Sequence, residues 1–295
     1  MIKNAFFRKS AKKGVTILAI LLLSLQVAQA QERFGGVMLY SVRDSMASNP
    51  IKTLEEVADI GYKNVEIAGY NDGLFYGLKP KEFKAKLKKL GFNPVSAHQG
   101  SVTLENADQM IADVKEAGFK YFVIPVPPMG RFQYDPKNNT MSMSGTVEEL
   151  AEILTTIGKK CEAAGLQLLY HNHNFEYYKN EDGVAPLDYL LEHTDPKYVN
   201  FQMDLYWTVQ AGANPIDYFK KYPGRFITWH VKDIDEQGRF APVGTGSIDF
   251  KEILANKKLS GMKYYFVEQD VAFDGMLPME AITISHDNLK SFGFK

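Results

Sequence analysis

Six apolar runs along this chain end on a histidine or a carboxylate. Glu66 follows Asn64-Val65 and His98 follows Pro94-Val95-Ser96-Ala97; the four later endings are Glu176, Asp204, His230 and Glu268. One oxygen or nitrogen donor at the C-terminal end of successive buried strands is how a parallel barrel assembles a divalent-metal site. Glu268 stands behind Tyr264-Tyr265-Phe266-Val267, where a carboxylate is costly to bury unless it is paired or bound to a metal. Asp204 closes Val199-Asn200-Phe201-Gln202-Met203; its plainer reading is a helix cap. His230 ends Phe226-Ile227-Thr228-Trp229, with Lys232 and Asp233 just beyond, and its plainer reading is a satisfied core histidine. The densest polar cluster, Tyr170-His171-Asn172-His173-Asn174-Phe175-Glu176, follows directly on Leu168-Leu169. His171 and His173 share strand parity and can both face a barrel interior, while Glu176 lies far enough along to fold back over the mouth. A pair of hydrogen-bonded loop histidines is the alternative there.

Mixed carboxylate and imidazole donors suit one divalent ion, Mn, Co, Zn, Fe or Mg, and the lack of thiolates argues against a structural zinc site. An open position on such an ion can chelate the carbonyl and neighbouring hydroxyl of a sugar. As a Lewis acid it stabilises the enediolate formed when a base removes the adjacent proton. A second acid or base then returns the proton elsewhere or expels a leaving group.

The elements that would position these groups alternate. Strand-like runs occupy Gly36–Val42, Asn64–Ile67, Asn93–Ala97, Tyr121–Pro125, Gln167–His171, Val199–Met203, Phe226–Val231 and Tyr264–Glu268. Segments with helical spacing lie between them, among them Thr53–Ile60, Pro80–Leu90, Leu104–Ala117, Thr146–Ala164 and Ile216–Tyr222. Several stop at a glycine that can cap a helix just before the next strand: Gly61, Gly91, Gly118, Gly165 and Gly261. Alternating β and α segments imply a parallel sheet with right-handed crossovers. Eight such units predict a (β/α)8 TIM barrel in a single α/β domain. No G-x-G-x-x-G loop follows the first strand, which weakens a nucleotide-binding reading. The longest irregular stretch, Pro127 to Gly145, follows strand 4, where a barrel would carry a lid over its mouth.

The first thirty residues read as a signal peptide. Lys3, Arg8, Lys9, Lys12 and Lys13 form a basic n-region, Val15 to Val27 is apolar, and Ala28-Gln29-Ala30 supplies small residues for cleavage after Ala30. The apolar run is shorter than the roughly 20 residues that span a bilayer; an uncleaved anchor is the alternative. The reading is therefore a leader at 1–30 and a periplasmic or secreted catalytic domain at 31–295, near the ~250 residues usual for such a barrel. The formal charge falls from −1 to −6 when the five leader cations are removed. A mildly acidic domain with no basic runs argues against nucleic acid as a partner. After cleavage no membrane span is expected; a homo-oligomer is compatible with the sequence. Cys161 is the only cysteine, so no intrachain disulfide exists, and its place in an amphipathic helix reads as a buried thiol.

Several motifs resemble the xylose-isomerase-like barrels of the sugar phosphate isomerase/epimerase family, secreted Bacteroidetes members above all. They are Leu39-Tyr40-Ser41-Val42-Arg43-Asp44, Ile60-Gly61-Tyr62-Lys63-Asn64-Val65-Glu66, the Tyr170–Glu176 cluster, Asp204, Trp229-His230-Val231-Lys232-Asp233, and Val243-Gly244-Thr245-Gly246-Ser247-Ile248-Asp249-Phe250. The resemblance covers 34–292. It implies one divalent ion held by Glu, Asp, His and Glu from strands 5 to 8, which Asp204, His230 and Glu268 match on the last three. Strand 5 departs from the pattern, with His171-Asn172-His173 where many relatives carry the ligand Glu. Either Glu176 reaches back or a histidine replaces the carboxylate. Glu176 is taken as the ligand, which leaves His171 and His173 as a general base and a substrate contact. Glu66, His98 and Lys232 complete the catalytic candidates.

The expected partner is a small sugar or glycoside. Sugar phosphates are rare outside the cytoplasm, and no basic cluster would hold the phosphate. Relatives isomerise, epimerise, dehydrate or eliminate across keto-sugars, and exported ones resemble enzymes that eliminate the aglycone from 3-keto-glycosides. Two other readings compete. A non-catalytic carbohydrate-binding barrel would use mouth aromatics such as Tyr40, Tyr70, Phe132, Tyr134, Tyr206 and Trp207. A metal-dependent endonuclease would need a basic DNA-facing surface, which the negative charge opposes.

Overall fold

The structure, a computed structural model, describes residues 35–138, 140–180 and 183–294. The expected leader and cleavage site lie outside these residues. The barrel strands are β1 (Gly35–Met38), β2 (Asn64–Ile67), β3 (Asn93–His98), β4 (Tyr121–Ile124), β5 (Gln167–His171), β6 (Val199–Asp204), β7 (Phe226–Val231) and β8 (Tyr264–Val267). Every pairing is parallel and follows chain order, and β1 pairs with both β2 and β8, so the sheet closes. This is the TIM barrel that the alternating pattern implies.

The expected first strand is too long. After Met38 the chain leaves the sheet for a 3-10 turn, Leu39–Val42, and a short helix, Arg43–Ser48. The ladder explains this, because Met38 is the last β1 residue that pairs with a neighbour. Beyond it, Leu39 and Val42 are buried as turn residues rather than as strand residues. The helix-ending glycines behave as expected where they cap: Gly61 and Gly165 sit at φ 114° and 79° after Pro50–Ile60 and Val147–Ala164. A left-handed residue there turns the chain into the following strand at little steric cost for glycine.

Strand alternation sorts side chains between two compartments. Phe201, Met203, Trp229 and Val231 are buried in the core shared with the helices. Trp229 stacks on Phe219 of the helix Pro215–Lys221, with ring centroids 5.2 Å apart and planes 3° from parallel. Each such burial contributes about 1.5–3 kcal/mol. The alternate residues Gln202, Asp204, Thr228 and His230 point into the barrel. Below them Met38, Val95 and Phe266 form a small separate apolar cluster. Gly36 leaves room for it: a Cβ there would stand 2.7 Å from the Asn64 carbonyl oxygen and 2.9 Å from the Phe266 ring. A backbone carbonyl cannot yield as a flexible side chain can. Gly36→Ala is therefore expected to destabilise the barrel by about 1–3 kcal/mol, read as a lowered denaturation midpoint; an unchanged midpoint would show that the plug repacks freely.

Candidate active site

The ends of β5 to β8 bring their polar residues to one place at the C-terminal mouth. Asp204 is level with His230 across the β6–β7 ladder, and the Glu268 backbone N–H donates to the Val231 carbonyl at 3.3 Å. One ligand atom from each of His171, Asp204, His230 and Glu268 lies within 4.8 Å of all the others, and all four residues are buried. Asp204 is the helix cap of its plainer reading and also faces the cluster. Its Oδ1 caps the helix Leu205–Gln210 by accepting the Trp207 N–H at 2.8 Å. Its Oδ2 turns inward, 3.8 Å from His230 Nδ1 and 3.9 Å from His171 Nε2. Asn172 holds the strand end in place, its Oδ1 accepting the Asp204 backbone N–H at 3.1 Å.

Lys232 is buried among carboxylates, its Nζ 2.9 Å from Asp204 Oδ2, 2.6 Å from Glu268 Oε2 and 2.5 Å from Asp270 Oδ2. Burial opposes its charge, but Asp204, Asp270 and Glu268 hold its pKa well above the usual lysine range, so it is a fixed cation. Asp233 next to it points elsewhere and ties down the following loop: its carboxylate accepts the backbone N–H groups of Ile234, Gly244, Gly246 and Ile248 at 2.9–3.0 Å. That accounts for the Val243–Phe250 motif.

Glu66 lies behind the cluster. Its Oε2 is in hydrogen-bond contact with His230 Nε2, while Oε1 accepts from Ser96 Oγ at 2.5 Å and Gln202 Nε2 at 2.8 Å. Burial opposes ionisation, yet His98 and His230 drive its pKa well below the usual carboxylate range. With Nε2 committed to Glu66, His230 faces the cluster through Nδ1, 2.8 Å from Glu268 Oε2. Burial disfavours the imidazolium, but Glu268 and Glu66 outweigh it and raise the His230 pKa to about 10. His171 goes the other way: burial, then His230 and His173, push its pKa well below the ordinary value, so its imidazole is neutral. His98 reaches Gln202 Oε1 at 2.8 Å through Nε2.

Glu176 is not part of this group. It is buried in a 3-10 turn, Phe175–Tyr177, where its carboxylate accepts from the Tyr170 hydroxyl at 2.7 Å and the His173 backbone N–H at 2.8 Å. Tyr170 has the parity opposite to His171 and belongs to the outer core, so Glu176 is anchored outside the barrel lumen. Burial raises its pKa to about 7. The strand-5 donor in the cluster is His171. His173 does reach the cavity, in a wall with Phe132, Phe175 and Trp207. Burial and Lys232 lower its pKa to about 3. Two residues at the site went unread in the sequence: Gln202 and Asp270.

Above the donors opens a cavity of about 800 Å³. His98, His171, His173, Glu268 and Asp270 line its depths, and Tyr40, Phe132, Tyr134, Tyr206 and Trp207 its sides. Tyr70 is not there; its hydroxyl donates to Asp113 at 2.7 Å. The segment after β4 is a hairpin, Phe132–Asp135 with Thr140–Met143, that walls the cavity.

The donors fit a divalent cation. Asp204 Oδ2 is buried and makes no hydrogen bond of acceptable geometry despite its ion pair with Lys232. Burial lifts the Asp204 pKa to about 6, more than the attraction of Lys232 offsets, with Glu268 adding repulsion. Asp204, Glu268 and Asp270 thus crowd around Lys232, and a dication would relieve their mutual repulsion. Asp204→Ala or His230→Ala should weaken Mn(II) binding by more than about a hundredfold, since losing a supporting group alone costs 10–100-fold. Folded Glu176→Gln should keep wild-type affinity in the same titration. A large loss there would return Glu176 to the ligand set.

A closed parallel barrel with mixed carboxylate and imidazole donors gathered at its C-terminal mouth defines a class, the (β/α)8 enzymes with a candidate metal centre. Within that class the chain belongs to the xylose isomerase-like TIM barrel family, which matches residues 54–264. It is similar to inosose dehydratase of Geobacillus kaustophilus, 24% identical over 247 residues, which covers 72% of this chain and 76% of that protein. Inosose dehydratase 2 of Bacillus cereus is 30% identical over 157 residues, 46% of this chain, and the match spans 52% of that relative's length. A solved sugar phosphate isomerase/epimerase from Parabacteroides distasonis superposes with a TM-score of 0.73 at 25% identity, over 90% of this chain and 100% of its own. L-ribulose 3-epimerase shares the fold at 14% identity and a TM-score of 0.66, over 89% of this chain and 94% of its own. The chain is accordingly an enzyme of the sugar isomerase, epimerase and dehydratase group.

Proposed function

We propose that this enzyme holds one divalent ion on His171, Asp204, His230 and Glu268 and abstracts a proton next to the carbonyl of a keto-sugar or keto-glycoside. The observation that carries the reading is the convergence of those four donors, of which His171 and Glu268 line the cavity. When bound, the ion supplies Lewis-acid stabilisation of the enediolate oxygen. Lys232, permanently charged and buried, adds a fixed positive field at the same point. Asp270 is the candidate proton acceptor. Its carboxylate reaches the cavity beside Lys232, and burial followed by Glu268 raises its pKa above the usual carboxylate range. His173 is neutral but a weaker base, and serves as part of the aromatic wall against a sugar face.

The cavity exceeds what a single sugar ring fills and stands toward the upper end of ligand pockets. Its outer rim carries exposed apolar groups, Tyr40, Tyr134 and Val271. That favours a glycoside whose aglycone lies against the hairpin, with β-elimination from a 3-keto-glycoside as the reaction. A neutral ligand suits the wall: Arg239 is paired with Asp235 and Asp274, and Arg43 donates to the Asp270 and Tyr40 carbonyls. The leader pattern of the sequence supports a location in the periplasm or outside the cell. No helix among the described residues is long and apolar enough to cross a membrane.

Proton NMR in D2O tests the reaction. Metal-loaded enzyme should incorporate deuterium next to the carbonyl of a 3-keto-glycoside and release the aglycone, and EDTA should abolish both. Exchange without aglycone release would indicate epimerisation or isomerisation. Turnover that survives exhaustive chelation would overturn the metal reading. A purified protein that carries no metal and still binds sugar would favour the non-catalytic binding barrel.

A further inference from the structure

We infer that Gln202 is a positioning residue that fixes the proton of His171 on Nδ1 and so leaves Nε2 bare toward the donor cluster. The inference rests on the metal reading above and concerns how this chain makes a histidine serve on strand 5.

Gln202 is fully buried on β6, two residues before Asp204 and on the same face. Its amide nitrogen donates to Glu66 Oε1 on β2 at 2.8 Å and to Thr228 Oγ1 on β7 at 3.1 Å. Its amide oxygen stands 3.0 Å from His171 Nδ1 on β5 and 2.8 Å from His98 Nε2 on β3. One side chain thus connects five strands of the barrel.

The donor rules leave one consistent assignment. Glu66 already takes Ser96 Oγ on Oε1 and meets His230 Nε2 on Oε2, so it faces Gln202 as an acceptor and the Gln202 group against it must be the NH2. Turning the amide over would set its oxygen against the buried carboxylate oxygen at under 3 Å, two acceptors with no proton between them. With the NH2 fixed, the oxygen faces both imidazoles and can only accept, so each must present an N–H. For a neutral His171 with Nδ1 protonated, Nε2 carries the lone pair, and Nε2 is the atom 3.9 Å from Asp204 Oδ2. A metal-binding histidine is usually held this way, by a hydrogen bond from its second nitrogen to an acceptor. Glu66 likewise holds His230, by its Nε2.

The test uses the full chain in two arms. In the first, the metal-free wild type labelled with 15N-histidine is examined by long-range 1H–15N NMR, with the His171 signals identified by their loss in His171→Gln. Protonation of Nδ1 with a bare Nε2 supports the inference; a proton on Nε2 overturns it. In the second, Mn(II) affinity is titrated in Gln202→Met, which is similar in length and lacks the amide. A fall of about 10–100-fold is expected, whereas unchanged affinity would overturn the assignment. A Gln202→Met chain that does not fold leaves the first arm to decide. Wild type that takes up no Mn(II), Co(II) or Zn(II) would defeat the metal reading separately, and the NMR would still decide the tautomer.

Discussion

Carboxylates are tolerated in a protein interior only where countercharge or donors meet them, and that constraint organises one end of this barrel. Glu66 is satisfied within the fold, by Ser96, Gln202 and His230. Asp204, Glu268 and Asp270 crowd around the Lys232 ammonium, with His230 beside Glu268, and Asp204 keeps one oxygen without a proper hydrogen bond. A divalent cation among them would complete the balance. The aromatic lid over Lys232, formed by Tyr206, Trp207 and Phe240 with ring centroids 5.2–5.9 Å from Nζ, excludes water and strengthens every charge beneath it.

Closure of the sheet turns distant residues into one site. Glu66 and His230 are 164 positions apart in the chain and still touch, because β1 joins β2 to β8 and the lumen is only a few side chains wide. The layering follows from the same geometry. Phe266, Met38 and Val95 fill the level below, the donor network occupies the next, and the cavity opens above it. Reaction chemistry at the C-terminal face is thereby separated from the packing that stabilises the other end.

Much of this was legible in the sequence because strand ends are marked twice, by an apolar run and by the polar residue that stops it. Asp204, His230 and Glu268 were found that way, and β2, β5 and β7 appear at the expected residues. Glu176 was harder to place. It follows β5 by five residues, and nothing local tells whether a turn carries it inward or outward; the Tyr170 hydroxyl and the His173 N–H decide that it faces outward. Gln202 could have been read by parity, since it precedes Asp204 by two, but an amide inside an apolar run carries no charge to draw attention. Asp270 stands beyond the end of β8, where strand periodicity says nothing. The turn after Met38 was also hidden, because Leu39–Val42 has strand-like composition and only the ladder shows that pairing has stopped.

A crystal structure of the Mn(II)-loaded protein with anomalous data at the manganese edge tests the central claim most directly. The account predicts one strong peak at the base of the cavity, ligated by His171, Asp204, His230 and Glu268, with Glu176 still on Tyr170. A peak ligated by Glu176 in place of His171, or no peak among these residues, would contradict it.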